Sequence, residues 1–343
     1  MVRTAATGPG SRPLRVVMAL ENNPYPQDGR VRREAEELAA DGHDVLVLAP
    51  RAVAQPRSET LGGVRVSRFR APELEGVAGI LLEYTVPVGA LARATGRAVV
   101  FDHHDLAPEL FEEKYGVRWP AAILRWCERM TVSVASVVIA TNESYRRVAI
   151  ERDGMAPDRV VVVRNAPARD MIAAAPSTRP GMLERPQLCY VGSLDRQDGV
   201  SQLPEIVERL CRLGLQPTLT IVGDGPERET IARLARERGV SDQIDLTGFV
   251  SPDEVPRFIE SADICLDVAL STPLNRKSTM VKIGEYLAAG RPIVTFALDE
   301  TCYTAGGCAV IVEHDDLDSF CNAVGELCRD EQLRASLSER ALE

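Results

Sequence analysis

The chain has 343 residues, 45% of them apolar and 26% charged, and forty basic against fifty acidic side chains leave a formal charge of −10. That composition excludes a disordered or fibrous protein, and the acidic excess argues against a polyanion such as DNA as partner, because the field of the whole molecule repels it. At roughly 150 residues per domain, the length predicts two domains.

The eight cysteines form no C-x-x-C pair, and most lie inside apolar runs such as ADICLDVAL. This pattern predicts buried, reduced thiols in a cytoplasmic protein rather than a disulfide frame or a zinc site. No apolar run reaches the roughly 18 residues that span a bilayer. The opening MVRTAATGPGSRP lacks a signal-like apolar segment and reads as a loose leader.

In chain order, LRVVMAL is a short apolar strand, and RVRREAEELAADG has helical periodicity through Val31, Ala35, Leu38 and Ala39 before closing on Gly42. HDVLVLAP is the next strand, completing a βαβ unit of a parallel sheet. The alternation continues with the strand RAVVFD, the helical ILRWCERMTVSVA, the strand SVVIAT, the helical ESYRRVAIERDG and the strand RVVVV. NAPARDMIAAAPSTRPGMLERP fits neither period and reads as a linker.

A second series follows. Strands LCYVGS, TLTIVG, QIDLTG, DICLDVA and PIVTFA alternate with helices over LPEIVERLCRLG, ERETIARLARERG, VPRFIESA and a segment from about Ser278. The predicted fold class is therefore α/β with two doubly wound, Rossmann-like domains: 12–165, a linker at 166–186, and 187–343. Ligands of such sheets settle at the carboxyl ends of the strands.

The segment NRKSTMVKIGEYLAAGRPIV carries Arg276, Lys277 and Lys282 at the end of a helix whose dipole already repels cations. Ser278 or Thr279 is the expected N-cap, leaving first-turn N–H groups at about residues 279–282, Met280 among them. Met280, Ile283, Gly284 and Leu287 make the apolar face, with Gly284 permitting close packing. Side chains lean toward the amino end, so Lys282 reaches an anion held there while Glu285, one turn deeper, suits the paired hydroxyls of a ribose. The alternative is a solvated Lys282–Glu285 pair, with Arg276 and Lys277 simply facing water.

With PYPQDGRVRREAEELAADGHDVLVL, VVFDHHDLAPELF, YVGSLDRQDGV, LTIVGDGPE and PLNRKSTMVKIGEYLAAGRPIVTF in that order, the chain resembles the retaining glycosyltransferases of the GT-B fold, family 4. The resemblance implies two facing Rossmann-like domains, the C-terminal one holding a nucleotide diphosphate-sugar and the N-terminal one an acceptor. Glu285 matches the second, ribose-binding glutamate of the family signature, while Lys277 stands where the first would be. Asp198 occupies the place of a diphosphate-gripping lysine, so charge balance nominates Lys277, Lys282 and Arg196 as compensation.

The resemblance further implies that His104 faces the donor sugar, a histidine merely capping the next helix being the alternative. It also implies that Gly29 and Arg30 approach the reaction centre, unless Gly29 only supplies an unusual turn angle. GDGPE is read equally as a base contact or as a tight turn. Asp102–Asp105 (DHHD) contains metal-ligand types, but neighbours on an extended strand point apart, and no metal or cofactor is expected. The N-terminal sheet reads as one βα unit short after EYTVPVGALARATGR, and the closing helix that crosses back to the first domain reads as missing.

The implied activity is transfer of a sugar, with retention, from a nucleotide diphosphate donor to a hydroxyl or amine, UDP being the commonest family nucleotide. The acceptor is a soluble metabolite or a lipid-linked saccharide met at a membrane surface. A nucleotide-sugar epimerase and a catalytically silent nucleotide-sugar-binding partner are the rivals. A nicotinamide dehydrogenase is disfavoured, because LRVVMALENNPYP lacks the G-x-G-x-x-G turn.

Overall fold

A computed structural model describes residues 12–20, 24–52, 55–70, 86–167, 171–172, 178–314 and 316–343. The leader up to residue 11, the stretch 71–85 and most of 168–177 in the linker lie outside the described residues, whereas the expected gap in the N-terminal sheet, between residues 97 and 101, lies within them. The chain packs as two compact units, one of residues up to Arg97 with Ile123–Val134, the other of Ala98–Ala122 with Ala135–Glu343. These bounds differ from the division expected at 165 and 187.

In the first unit, β1 (Arg15–Ala19), α1 (Gly29–Ala40), β2 (Asp44–Pro50), β3 (Ser58–Leu61), β4 (Val64–Phe69) and α2 (Val86–Ala94) follow in order. The sheet order is β1-β2-β4-β3, with β3 antiparallel and the other pairings parallel. Alternation sets its core: Val45, Val47 and Ala49 of β2 and Val64 and Val66 of β4 face inward with Ala35 of α1. The β3–β4 hairpin, turning on Gly62 and Gly63, was not anticipated from the sequence.

The second unit begins with β5 (Val100–His103) and α3 (Ala107–Tyr115), and α4 (Arg118–Val134) contributes its first residues. Next come β6 (Val137–Ala140), α5 (Glu143–Arg147) and β7 (Val160–Val162). β5, β6 and β7 form a parallel sheet of their own.

The larger sheet follows with β8 (Gln187–Val191), α6 (Leu203–Arg212), β9 (Thr218–Val222), α7 (Arg228–Glu237), β10 (Ile244–Gly248), α8 (Val255–Ser261) and β11 (Ile264–Asp267). It ends with α9 (Val281–Ala288), β12 (Ile293–Phe296), α10 (Asp299–Ala305), β13 (Val310–Val312), α11 (Leu317–Arg329) and α12 (Glu331–Ala341). The strand order β10-β9-β8-β11-β12-β13 is parallel throughout. Order reverses between β8 and β11, and such a switch point opens a crevice at the strands' carboxyl ends.

β11 and β12 are buried at every position, as a sheet covered on both faces requires. One cluster joins Tyr190, Ile221, Leu266 and Phe296 to α6 and α11; another joins Cys189, Cys265 and Ile293 to Ile283 and Tyr286 of α9. The last helix, α12, packs within this unit against α9 and α11, and its buried Arg334 donates to the carbonyls of Arg179, Gly181 and Cys328. All eight cysteines are free thiols, five of them buried. Burial pushes the Cys189 and Cys321 thiols up to about 12, which leaves them inert.

Candidate functional site

The β8/β11 switch point is occupied by one cation. Lys282, the second residue of α9, is only 8% exposed. Its Nζ lies 3.0 Å from the Tyr190 hydroxyl, 3.4 Å from Asp198 Oδ1 and 3.5 Å from Asp267 Oδ1, with the Tyr190 ring beneath it. Burial opposes the ammonium charge, but Tyr190, Asp267 and Asp198 together outweigh it and hold its pKa above the ordinary lysine value. Asp198 shows the opposite balance: burial raises its pKa, as do Asp267 and Asp195, against the lowering effect of Lys282.

The close packing depends on two glycines. A Cβ on Gly192, at φ +147°, would lie 3.1 Å from the Lys282 ammonium, and one on Gly199, at φ +67°, would lie 1.9 Å from the Val268 carbonyl oxygen. Only a glycine lets the loop after β8 lie this close to the loop after β11.

α9 is shorter than the sequence suggested. Its N-cap is Met280 rather than Ser278 or Thr279, and no side chain caps it. The reason is that both hydroxyls are engaged elsewhere: Ser278 Oγ donates to Leu274 O and meets the Tyr145 hydroxyl at 3.0 Å, while Thr279 Oγ1 accepts from Asn142 Nδ2 at 3.0 Å. Residues 272–278 instead coil into turns before the helix, with Arg276 N bonded to Thr272 O and Lys277 N to Leu274 O. Gly284 is not needed for contact, since a Cβ there would meet Pro167 at an ordinary 3.7 Å.

The expected cations separate into two groups. Lys277 is 3.5 Å from Glu109 of α3, and Lys282 is held by two carboxylates, so both are charge-compensated within the chain. Arg196 and Arg276 are exposed, and among the described residues no carboxylate pairs with either. Asn275 Nδ2 donates to Gln197 O at 2.8 Å, which sets the segments carrying these two arginines side by side at the amino end of α9. Arg276, which charge balance did not single out, therefore belongs with Arg196.

Glu285 is half-buried one turn into α9. His103 and His104 do point apart: His103 is buried between Phe101 and Tyr145. His104 is exposed, with Nδ1 3.6 Å from Asp102 Oδ2 and Nε2 3.6 Å from Asp105 Oδ2. Gly29 and Arg30 start α1 in the other unit, where Asp28 caps the amides of Arg30 and Val31 and Arg30 pairs with Glu34. Gly29 is not among the glycines at positive φ, so an unusual turn angle does not explain it. In GDGPE the turn reading has a concrete basis: Leu194 N bonds to Asp224 O and Glu227 N to Leu194 O, strapping the loops after β8 and β9 together.

Residues 185–330 match the family model described as glycosyl transferases group 1, and residues 78–166 match the glycosyl transferase 4-like domain. Among curated proteins, the alpha-D-kanosaminyltransferase of Streptomyces kanamyceticus is 26% identical over 231 residues, covering 67% of this chain and 56% of that protein. The chain spans about half the length of the first curated relatives it matches.

Among solved structures, sucrose-phosphate synthase from Thermosynechococcus elongatus superposes with TM-score 0.73 at 18% identity, covering 96% of this chain and 93% of that one. Anabaena Alr3699/HepE in complex with UDP and glucose superposes with TM-score 0.66 at 15% identity, covering 96% and 93%. These likenesses establish the GT-B fold.

Proposed function

The chain belongs to the group 1, family 4 glycosyltransferases of the GT-B fold, and from that premise we propose that it moves a sugar from a nucleotide diphosphate donor, UDP-linked, to a hydroxyl or amine of an acceptor. The diphosphate lies across the amino end of α9. Arg196 and Arg276 are the observation that carries this reading, because two exposed guanidiniums with no carboxylate partner among the described residues, on segments brought together at the helix start where the Val281 and Lys282 amides open α9, suit an anion. Lys282 contributes by fixing the β8 and β11 loops through Asp198 and Asp267, rather than as a free counter-charge.

Departure of the diphosphate from an oxocarbenium-like carbon is the demanding step, and preorganised donors stabilise the charge that grows on the leaving oxygen. Retention follows if that oxygen itself takes the acceptor's proton on the same face of the sugar. The two arginines and the helix amides supply the positive field, so transfer does not call for a divalent cation and persists in chelator. Glu285 binds the ribose hydroxyls and His104 a hydroxyl of the donor sugar. UDP is favoured by the Anabaena neighbour that holds it.

Calorimetric titration with UDP and GDP tests the reading. UDP is expected to bind, with roughly tenfold loss in Glu285→Ala and a larger loss in the Arg196→Ala/Arg276→Ala double variant. No binding of either nucleotide to the wild type, or unchanged affinity in the double variant, overturns it.

A further inference from the structure

The turn after β6, Thr141-Asn142-Glu143-Ser144-Tyr145, grips the segment that leads into α9 at three successive residues. Asn142 is fully buried and uses every hydrogen-bonding group of its side chain. Its Oδ1 caps α5 by accepting from Tyr145 N at 2.8 Å, while Nδ2 donates to Lys277 O at 2.8 Å and to Thr279 Oγ1 at 3.0 Å. The reverse amide orientation would set Nδ2 against the Tyr145 N–H and Oδ1 against the Lys277 carbonyl, so the network fixes which way it points.

Between these two contacts, Ser278 Oγ spends its proton on Leu274 O, so the Tyr145 hydroxyl donates to Ser278. Two ion pairs and a backbone bond hold the turn and the segment in place. Glu300 of α10, 4% exposed, accepts from Ser144 N at 3.1 Å and pairs with Arg164 at 3.2 Å, and Lys277 Nζ meets Glu109 Oε1 at 3.5 Å.

We propose that Asn142 is a positioning residue for nucleotide diphosphate binding: by fixing the Lys277 carbonyl and the Thr279 hydroxyl, it sets the direction of the amides that open α9. The proposal rests on the reading that the diphosphate docks at that helix end, and it adds a residue from a different sheet to the site. Thr279 and Ser278 then act through the backbone they hold and need not touch the ligand themselves. With neither side chain free to cap α9, and with Ile283 N already bonded to Met280 O at 3.1 Å, the amides of Val281 and Lys282 are left for an external acceptor.

Two variants separate positioning from charge. Asn142→Ser and Asn142→Asp both keep an oxygen that caps α5, since serine, aspartate and asparagine are comparable N-caps. Neither presents the Lys277 carbonyl with an N–H donor, and only the aspartate adds negative charge. Calorimetry with UDP and with uridine is the first readout, and hydrogen exchange of the amides at 277–282 without ligand is the second.

Both variants are expected to lose about tenfold in UDP affinity with uridine affinity unchanged, and to exchange faster at 277–282. Loss in Asn142→Asp alone makes the effect one of charge and overturns the proposal, as does equal loss for UDP and uridine, which marks general loosening. Unchanged exchange in both variants overturns it whether or not UDP binds. A wild type that binds neither UDP nor GDP, with exchange altered as expected, sinks the functional reading and the ligand role with it, leaving Asn142 a structural clamp.

Discussion

Lys282 and Asp198 exchange the roles that a linear reading gives them. Lys282 looks like a cation waiting for a phosphate, yet it is 8% exposed and shared between Asp198 and Asp267. Truncating it would leave two carboxylates without their cation, at a cost of about 3–5 kcal/mol for a broken buried pair, so its loss reports on folding before binding. Asp198 is the more informative target.

Its raised pKa, caused first by burial, means that the folded chain holds a proton at a pH where the unfolded chain has released it. The contribution of this group to stability is therefore present below the ordinary carboxylate value and declines as pH rises through the raised folded value. Asp198→Asn removes that decline. The variant is expected to match the wild type in acid and to exceed it at neutral pH, measured by urea unfolding across the range. Removing one carboxylate from the site while Asp267 still neutralises Lys282 should also tighten UDP binding severalfold; weaker binding would show that the Lys282–Asp198 contact, by holding the loop that carries Arg196, outweighs the removed charge.

Elements show which parts of the structure the sequence encodes locally and which it does not. The strands from LRVVMAL to PIVTFA were legible because a buried parallel strand is a short apolar run closed by turn residues. The β3–β4 hairpin was legible in principle, since SETL and VRVSRF flank Gly62-Gly63, but its polar alternation hides it from a search for apolar runs. The start of α9 was not legible: Ser278 and Thr279 have the chemistry of N-caps, and long-range bonds to Tyr145 and Asn142, with a local bond from Ser278 Oγ back to Leu274 O, divert them. Asp267 was missed for the same reason, because its place beside Lys282 follows from β11 lying next to β8.

The loop after β8 gives a prediction at this scale. In Gly199→Ala the methyl meets the Val268 carbonyl and the Gln202 amide at 1.9 and 2.8 Å and must also adopt φ +67°. Gly214→Ala has similar φ, +84°, with nothing within 4 Å. The control should lose only the backbone term of about 1 kcal/mol, and Gly199→Ala at least twice that, with Arg196 displaced and UDP affinity reduced. Equal urea midpoints for the two variants would refute the close-packing argument.

At the scale of the whole molecule, the two compact units have separate cores, one around Val45, Val47 and Val66, the other around Tyr190, Leu266 and Phe296. Chains with more than one core commonly depart from a single unfolding transition. Differential scanning calorimetry is accordingly expected to resolve two components, the larger enthalpy belonging to the unit that contains most of the residues. A ligand stabilises only what it binds, by about 2.7 kcal/mol at a hundredfold excess over its dissociation constant. For a unit of this size that corresponds to a rise of roughly 5–10 °C. Because every residue assigned to the diphosphate lies in the second unit, UDP should move the larger component by that amount and leave the smaller one in place. Movement of the smaller component alone would put the nucleotide with Gly29 and Arg30 instead, and the assignment to α9 would have to be abandoned.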